Sequence, residues 1–321
     1  MVCRAGAASE FSPMTRANVR VLDGGMGREL KRIGAPFRQP EWSALALIEA
    51  PEYVLQAHQA FVTAGARIIT TNSYAVVPFH IGDERFAEQG RALAERAGRL
   101  ARQAAGESTD PVTVAGSLPP ALGSYRPDLF DHQGSVAIHR ELIAGLQAHV
   151  DVWLAETHSS IAEVRAVVEA LGTDPAPLWV SFTLLDEEGR EPRLRSNEAV
   201  ADAVRVAAEL GAKAVLFNCS QPEVMAAALI EARAVIENLD HPVELGVYAN
   251  AFPPVSAKAE ANSDLLEIRR DLGPESYLDW SKSWVAAGAS IVGGCCGIGP
   301  EHIAQLHLHL HYQKGEEAAH E

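Results

Sequence analysis

The sequence lacks a basic excess: 27 Lys and Arg stand against 42 Asp and Glu, a formal net charge of -15. A field of that sign repels phosphate backbones and anionic lipid surfaces and argues against nucleic acid as a partner. No uninterrupted apolar run approaches the ~20 residues that cross a bilayer, and Met1 to Thr15 carry no apolar block of the kind a secretion signal needs. A cytoplasmic protein with no membrane partner is expected. Cysteine is scarce as well, 4 in 321 residues, too few and too clustered for the disulfide framework of a small secreted domain. The GxGxxG and Walker spacings are missing, so the glycine-rich Asp23-Gly24-Gly25-Met26-Gly27 is a weak candidate for a nucleotide loop.

What is present is an ordinary globular composition, 47% hydrophobic and 21% charged. Short apolar or β-branched runs alternate with longer segments of helical period. The runs read as strands buried on both faces: Val19–Leu22, Arg67–Thr70, Val112–Ala115, Val152–Ala155, Leu178–Phe182, Ala214–Phe217, Glu244–Val247 and Ser290–Val292. Three helices stop in the same way, at Ala64-Gly65-Ala66, Leu210-Gly211-Ala212 and Ala287-Gly288-Ala289, where glycine can turn the chain into the next strand. Eight β–α repeats favour an α/β protein closed into a (β/α)8 TIM barrel over an open sheet. One domain is expected over residues 18–312, preceded by an Ala/Ser/Gly-rich flexible arm at 1–17 and followed by a polar tail at 313–321. A long loop is expected after the seventh strand, at Pro253-Pro254 and the polar run Ser256–Asp264.

The active site of such a barrel is built at the C-terminal ends of its strands. Here those ends are polar: Asp23-Gly24-Gly25, Thr71-Asn72-Ser73-Tyr74, Gly116-Ser117-Leu118-Pro119-Pro120, Glu156-Thr157-His158, Asn218-Cys219-Ser220, Tyr248-Ala249-Asn250 and Gly293-Gly294-Cys295-Cys296-Gly297. Cys219, Cys295 and Cys296 therefore share one rim. Three thiolates suit Zn(II) over hard cations, and three protein ligands leave a fourth position open, the catalytic rather than the structural pattern. Adjacent cysteines point to opposite faces of a regular strand, so the glycines around Cys295-Cys296 are needed to leave strand geometry. Spacing alone leaves a second reading open, in which Cys219 is a small core residue and Cys295-Cys296 is a buried or redox-labile pair.

Asp23 and Glu156 end different strands, and both can point into one pocket to hold an ammonium group. Asp23 also reads as a turn residue before two glycines. A lone His158 near a loop is more often neither ligand nor base, and the run Asp186-Glu187-Glu188 reads as a solvated loop.

The motifs Leu22-Asp23-Gly24-Gly25-Met26-Gly27, Thr71-Asn72-Ser73-Tyr74, Glu156-Thr157, Phe217-Asn218-Cys219 and Gly293-Gly294-Cys295-Cys296-Gly297 resemble, in order, those of the homocysteine S-methyltransferase family. The resemblance runs from Val21 to about Ile303. It implies a zinc-dependent (β/α)8 enzyme that moves a methyl group from a sulfonium such as S-methylmethionine or S-adenosylmethionine to L-homocysteine, giving methionine. It assigns Zn(II) to Cys219, Cys295 and Cys296, the acceptor's amino group to Asp23 and Glu156, and the surroundings of its carboxylate to Gly24 and Thr71, with Asn218 as a further pocket residue. Partners are then a small thiol acceptor and a methyl donor. Family members that use S-methylmethionine often read Tyr-Pro-Asn-Ser-Gly where this chain has Tyr248-Ala249-Asn250-Ala251-Phe252. The segment from Gly116 to Asp128 departs from their pattern too, which leaves betaine or another donor as an alternative. A non-catalytic zinc or redox-sensitive binding module is a different class of answer.

Overall fold

The computed structural model describes residues 19–254 and 268–311. The expected arm at 1–17, the tail at 313–321 and the polar run Ser256–Asp264 lie outside the described residues. The strands are β1 Arg20–Val21, β2 Ile68–Thr70, β3 Thr113–Leu118, β4 Val152–His158, β5 Leu178–Phe182, β6 Ala214–Asn218, β7 Glu244–Ala249 and β8 Ile291–Gly294. All pair in parallel in chain order, and β8 pairs with β1. Between β1 and β2 the circle closes through the bridge Leu22–Ile68 and the backbone bonds Asp23 N to Ile68 O (2.9 Å) and Arg67 N to Val21 O (2.8 Å). The fold is the expected (β/α)8 barrel.

The helices are α1 Met26–Arg32, α2 Ser43–Glu49, α3 Pro51–Thr63, α4 Pro78–Ile81, α5 Asp83–Gly106, α6 His132–Leu146, α7 Ile161–Leu171, α8 Val200–Glu209, α9 Pro222–Ile236, α10 Pro274–Ala287 and α11 Pro300–Leu306. Local chemistry explains their limits. In α5, Leu93, Ala94, Ala97, Leu100, Ala101 and Ala104 recur on one buried face, and Asp83 and Glu84 sit in the first turn, where the helix dipole favours negative charge. A capping box between Ser160 and Glu163 starts α7. The Ala-Gly-Ala stops behave as their sequence suggests. Gly65, Gly211 and Gly288 have φ of 106°, 91° and 118°, and the alanine after each donates back to Phe61, Ala207 and Trp284 at 3.0 Å, closing the last turn.

Strand residues alternate between the barrel interior and the helical shell. Leu22, Ile68, Ala115, Leu154, Trp179, Leu216 and Ile291 fill the interior, while Val21, Ile69, Val114, Trp153, Val180, Val215 and Val292 pack outward on the helices. Burying each large side chain is worth roughly 1.5–3 kcal/mol. Two residues further along, the same inward parity delivers Thr70, Ser117, Glu156, Ser181 and Asn218, so a polar layer caps the apolar one. This is why several strands outrun the apolar runs that announce them: β4 continues to His158, β6 to Asn218 and β7 to Ala249. Among the described residues no helix is long and apolar enough to cross a membrane.

Candidate active site

Above the polar layer, at the C-terminal ends of the strands, lies a cavity of about 210 Å³. Its wall includes Asp23, Gly24, Thr71, Glu156, Cys219, Cys295 and Cys296, together with the rings of Phe37, Trp42, Tyr74, Tyr125 and Phe252. The backbone is strained around it. Five described non-glycine residues have positive φ, and four of them line this cavity: Trp42 (48°), Tyr125 (64°), Thr157 (64°) and Cys219 (49°). Such conformations cost of order 1–3 kcal/mol each and persist where surrounding structure enforces them, commonly at functional sites.

The left-handed turn at Cys219 takes its side chain out of strand alternation and aims it across the rim at the loop after β8. That loop is shaped by close backbone contact. A Cβ on Gly25 would stand 2.5 Å from the Cys295 carbonyl oxygen, so the loops after β1 and β8 touch with no side chain between them. Behind β7 and β8, the Tyr277 hydroxyl donates to Gly293 O at 2.7 Å and lies 3.2 Å from Ala249 O, fixing both strand ends from the helical shell. The sulfurs of Cys219, Cys295 and Cys296 consequently lie within 4.8 Å of one another. The Cα atoms of Cys219 and Cys295 are 5.8 Å apart, with Cys296 beside them. As thiolates the three offer an all-sulfur ligand set that fits a soft or borderline metal ion. Burial pushes the Cys296 thiol up to about 11, with the Arg28 charge pulling the other way, so ionising it takes a nearby cation.

Asp23 and Glu156 face the same cavity from the ends of β1 and β4. Asp23 Oδ2 accepts from the Thr70 amide at 2.8 Å and lies 3.2 Å from the Thr70 hydroxyl. Burial pushes its carboxyl well above the usual carboxylate range, the Thr70 contacts pull it back, and the Glu156 charge adds to the rise. Burial raises Glu156 likewise, opposed by its hydrogen bonds from Ser117 and Tyr248. The Tyr248 hydroxyl donates to Glu156 Oε2 at 3.1 Å, and the Ser117 hydroxyl donates to Oε1. Burial disfavours the charged form of both acids, and the Glu156 charge does so further for Asp23, so both gain from an arriving ammonium group. Thr71 Oγ1 accepts from the Ser117 amide at 3.0 Å, which ties the cavity wall to the Glu156 support.

Asn218 does not line the cavity. Its side chain is fully buried, donating to Thr157 Oγ1 (2.8 Å) and accepting from the Thr157 amide (3.1 Å) and the Ser181 hydroxyl (2.8 Å). It clamps β4 to β6 and braces the two left-handed residues Thr157 and Cys219. His158 is also buried, its Nε2 3.1 Å from Leu118 O, and desolvation pushes it down to about 3, so it is a neutral packing residue.

The Asp186-Glu187-Glu188 run is not wholly solvated. Asp186 and Arg195 form an ion pair at 3.1 Å with side chains only 2% and 3% exposed. Asp186 also accepts from the Gln221 amide at 2.9 Å, and the Arg195 guanidinium lies 4.5 Å from the Tyr125 ring centre. The hydroxyl of Thr183 contacts Arg195 (3.3 Å) and donates to Cys219 O (3.4 Å). This network, which links the loop after β5 to the Cys219 turn, leaves no local signal in the sequence. Its members meet only because the chain doubles back at the bridge Leu184–Leu194.

Residues 20–310 match the family model described as homocysteine S-methyltransferase. The chain belongs to the homocysteine S-methyltransferase family. Membership makes it an enzyme of the methyltransferase class. It is 30% identical to the homocysteine S-methyltransferase of Escherichia coli K12, over 91% of this chain and 96% of that protein. It is 28% identical to homocysteine S-methyltransferase 1 of Zea mays, over 88% and 91%. The crystal structure of the E. coli homocysteine methyltransferase MmuM in its metallated form superposes with a TM-score of 0.73, covering 91% of this chain and 96% of that one at 30% identity. Within this family frame the rim cysteines form a candidate metal centre and the cavity beside them a candidate small-molecule site.

Proposed function

We propose that this chain transfers a methyl group from a sulfonium donor, S-methylmethionine or S-adenosylmethionine, to the thiol of L-homocysteine, giving methionine. The observation that carries this reading is the convergence of three cysteine sulfurs beside two buried carboxylates in one aromatic-walled cavity. A zinc ion held by Cys219, Cys295 and Cys296 would supply the positive charge that keeps a thiol ionised near neutral pH, where a free thiol of pKa ~8.5 is mostly protonated. The chain's own residues do the rest. Asp23 and Glu156 take the acceptor's ammonium, with Ser117 and Tyr248 fixing the Glu156 carboxylate and Gly24 and Thr71 bordering the acceptor's carboxylate. Phe37, Trp42, Tyr74, Tyr125 and Phe252 exclude water and present ring faces that attract a sulfonium. The carbon–sulfur bond to the acceptor forms as the donor's bond breaks, and the electron pair stays on the departing sulfur. That sulfur leaves as a neutral thioether, so no general acid is required. Cancelling two opposite charges is favoured in a site shielded from water.

The test is direct. Reduced protein should hold close to one zinc per chain and produce methionine from homocysteine with at least one sulfonium; absence of both zinc and turnover would reject the proposal. The raised carboxyls give a further expectation. Acceptor binding needs Asp23 and Glu156 ionised, so it is favoured above their pKa values and lost as pH falls through them. The homocysteine KM should rise on acidification with a midpoint above the ordinary ~4 of free carboxylates. A KM flat down to pH 4 would remove the two acids from acceptor binding.

A further inference from the structure

Cys219 lies one residue past β6 with φ of 49°, and its carbonyl accepts from two side chains. The Tyr125 hydroxyl donates to it at 3.5 Å and the Thr183 hydroxyl at 3.4 Å. Both bonds are long, so what they contribute depends on how firmly the two donors are placed.

Arg195 touches both donors. The centre of its guanidinium lies 4.5 Å from the Tyr125 ring centre, and its Nε donates to Thr183 Oγ1 at 3.3 Å. An arginine N–H can only donate, so Thr183 Oγ1 must accept there, which leaves its own proton for Cys219 O and the adjoining Ser220 hydroxyl. Arg195 Nη2 pairs with Asp186 Oδ2 at 3.1 Å, and Asp186 Oδ1 accepts from the amide of Gln221, two residues beyond Cys219, at 2.9 Å. The Arg195 amide also donates to Thr183 O at 3.3 Å, which sets the backbone of one against the other. The Cys219 turn is therefore approached on three sides by groups that meet at one buried ion pair.

We infer that Arg195 is a positioning residue for the metal centre: paired with Asp186, it fixes the two hydroxyls that hold the Cys219 carbonyl and so keeps the Cys219 sulfur aimed at Cys295 and Cys296. This rests on the reading of the three cysteines as metal ligands. Arg195 does not itself line the cavity, whereas Tyr125 and Cys219 do, so it acts through them. Lysine supplies the same charge but not the planar fork, whose edge bonds Asp186 and Thr183 while its face meets the ring. Asp186 in turn keeps a cation so deeply buried from standing uncompensated.

The experiment measures the zinc affinity of the reduced full chain by competition with a chelator, beside thermal unfolding of the same protein freed of metal. Removing Arg195 alone leaves Asp186 as an unpaired buried charge, so the informative variant joins Arg195→Met to Asp186→Leu and replaces the pair by apolar side chains. Its metal-free unfolding temperature should stay near that of wild type, while zinc should bind about 10- to 100-fold more weakly, as is common when partners that orient metal ligands are lost. Thr183→Val, which removes one of the two hydroxyls, should weaken zinc binding as well. With all three changes together the loss should fall short of the product of the separate losses, because both act on one carbonyl. Arg195→Lys, with charge but no fork, should still bind zinc more weakly than wild type. Wild-type zinc affinity in the paired variant or in Arg195→Lys would overturn the inference. A fall in metal-free stability that matches the fall in zinc affinity would overturn it equally, leaving the pair a folding role; in each case the metal centre stands. Reduced wild-type protein that binds no zinc would bring down the metal centre, and this inference with it.

Discussion

Cys296→Ser is expected to lose bound metal and to lower kcat/KM for homocysteine methylation by more than ~100-fold. Changing residues that merely support a metal ligand typically costs 10- to 100-fold, and removal of a ligand exceeds that. The three sulfurs are held within 4.8 Å of one another by backbone features that the substitution leaves intact: the left-handed turn at Cys219, the contact of Gly25 with the Cys295 carbonyl and the Tyr277 brace. Serine has nearly the size of cysteine and should fold equally well. Its hydroxyl ionises with far more difficulty and is a harder ligand, so two thiolates remain where three are needed. Metal analysis on reduced protein beside the methylation assay checks this. Full zinc content and full turnover in Cys296→Ser would remove the cysteine cluster from the mechanism.

Glu156→Gln is expected to raise the homocysteine KM by about 10- to 100-fold and to leave the donor KM close to wild type. The lost interaction is a buried charge-assisted hydrogen bond, worth about 1.5–3 kcal/mol. Glutamine keeps the shape but not the accepting capacity. The Ser117 and Tyr248 hydroxyls both donate to Glu156, one to each oxygen, and in the amide one of them must face an N–H group instead. The carboxamide therefore loses both the charge that meets the ammonium and part of the support that orients it. Steady-state kinetics with each substrate varied in turn separates the two KM values. Equal shifts in both would argue that Glu156 shapes the whole cavity and does not bind the acceptor in particular.

Much of the barrel is legible because parallel strands covered on both faces must be apolar throughout, so β5 coincides with the run that announces it. The rim cysteines are legible for the same reason: Cys219 follows the end of β6, and the pair Cys295-Cys296 follows the end of β8. Legibility fails where inward parity carries polar residues into a strand. Tyr248 lies one residue beyond an apolar run, and only its inward direction brings the hydroxyl to Glu156. Asn218 reads as a pocket residue because it adjoins Cys219, yet the positive φ at Cys219 sends the two side chains to different places. The helices α1 and α2, with 7 residues each, are too short for a periodic pattern. Asp186 looks solvated beside two further acids, and its burial depends on Arg195, reached only when the chain folds back.

The Asp23 carboxylate, besides facing the acceptor cavity, receives the Thr70 amide and so stitches β1 to β2 at the one junction of the barrel joined by an isolated bridge instead of a strand ladder. The proposed recognition of the acceptor and the mechanical closure of the barrel thus reside in a single side chain. A lineage or an engineer seeking a new acceptor cannot trade this residue away without loosening the staves of the barrel, and acceptor scope is therefore free to drift elsewhere on the rim while the first strand end stays fixed.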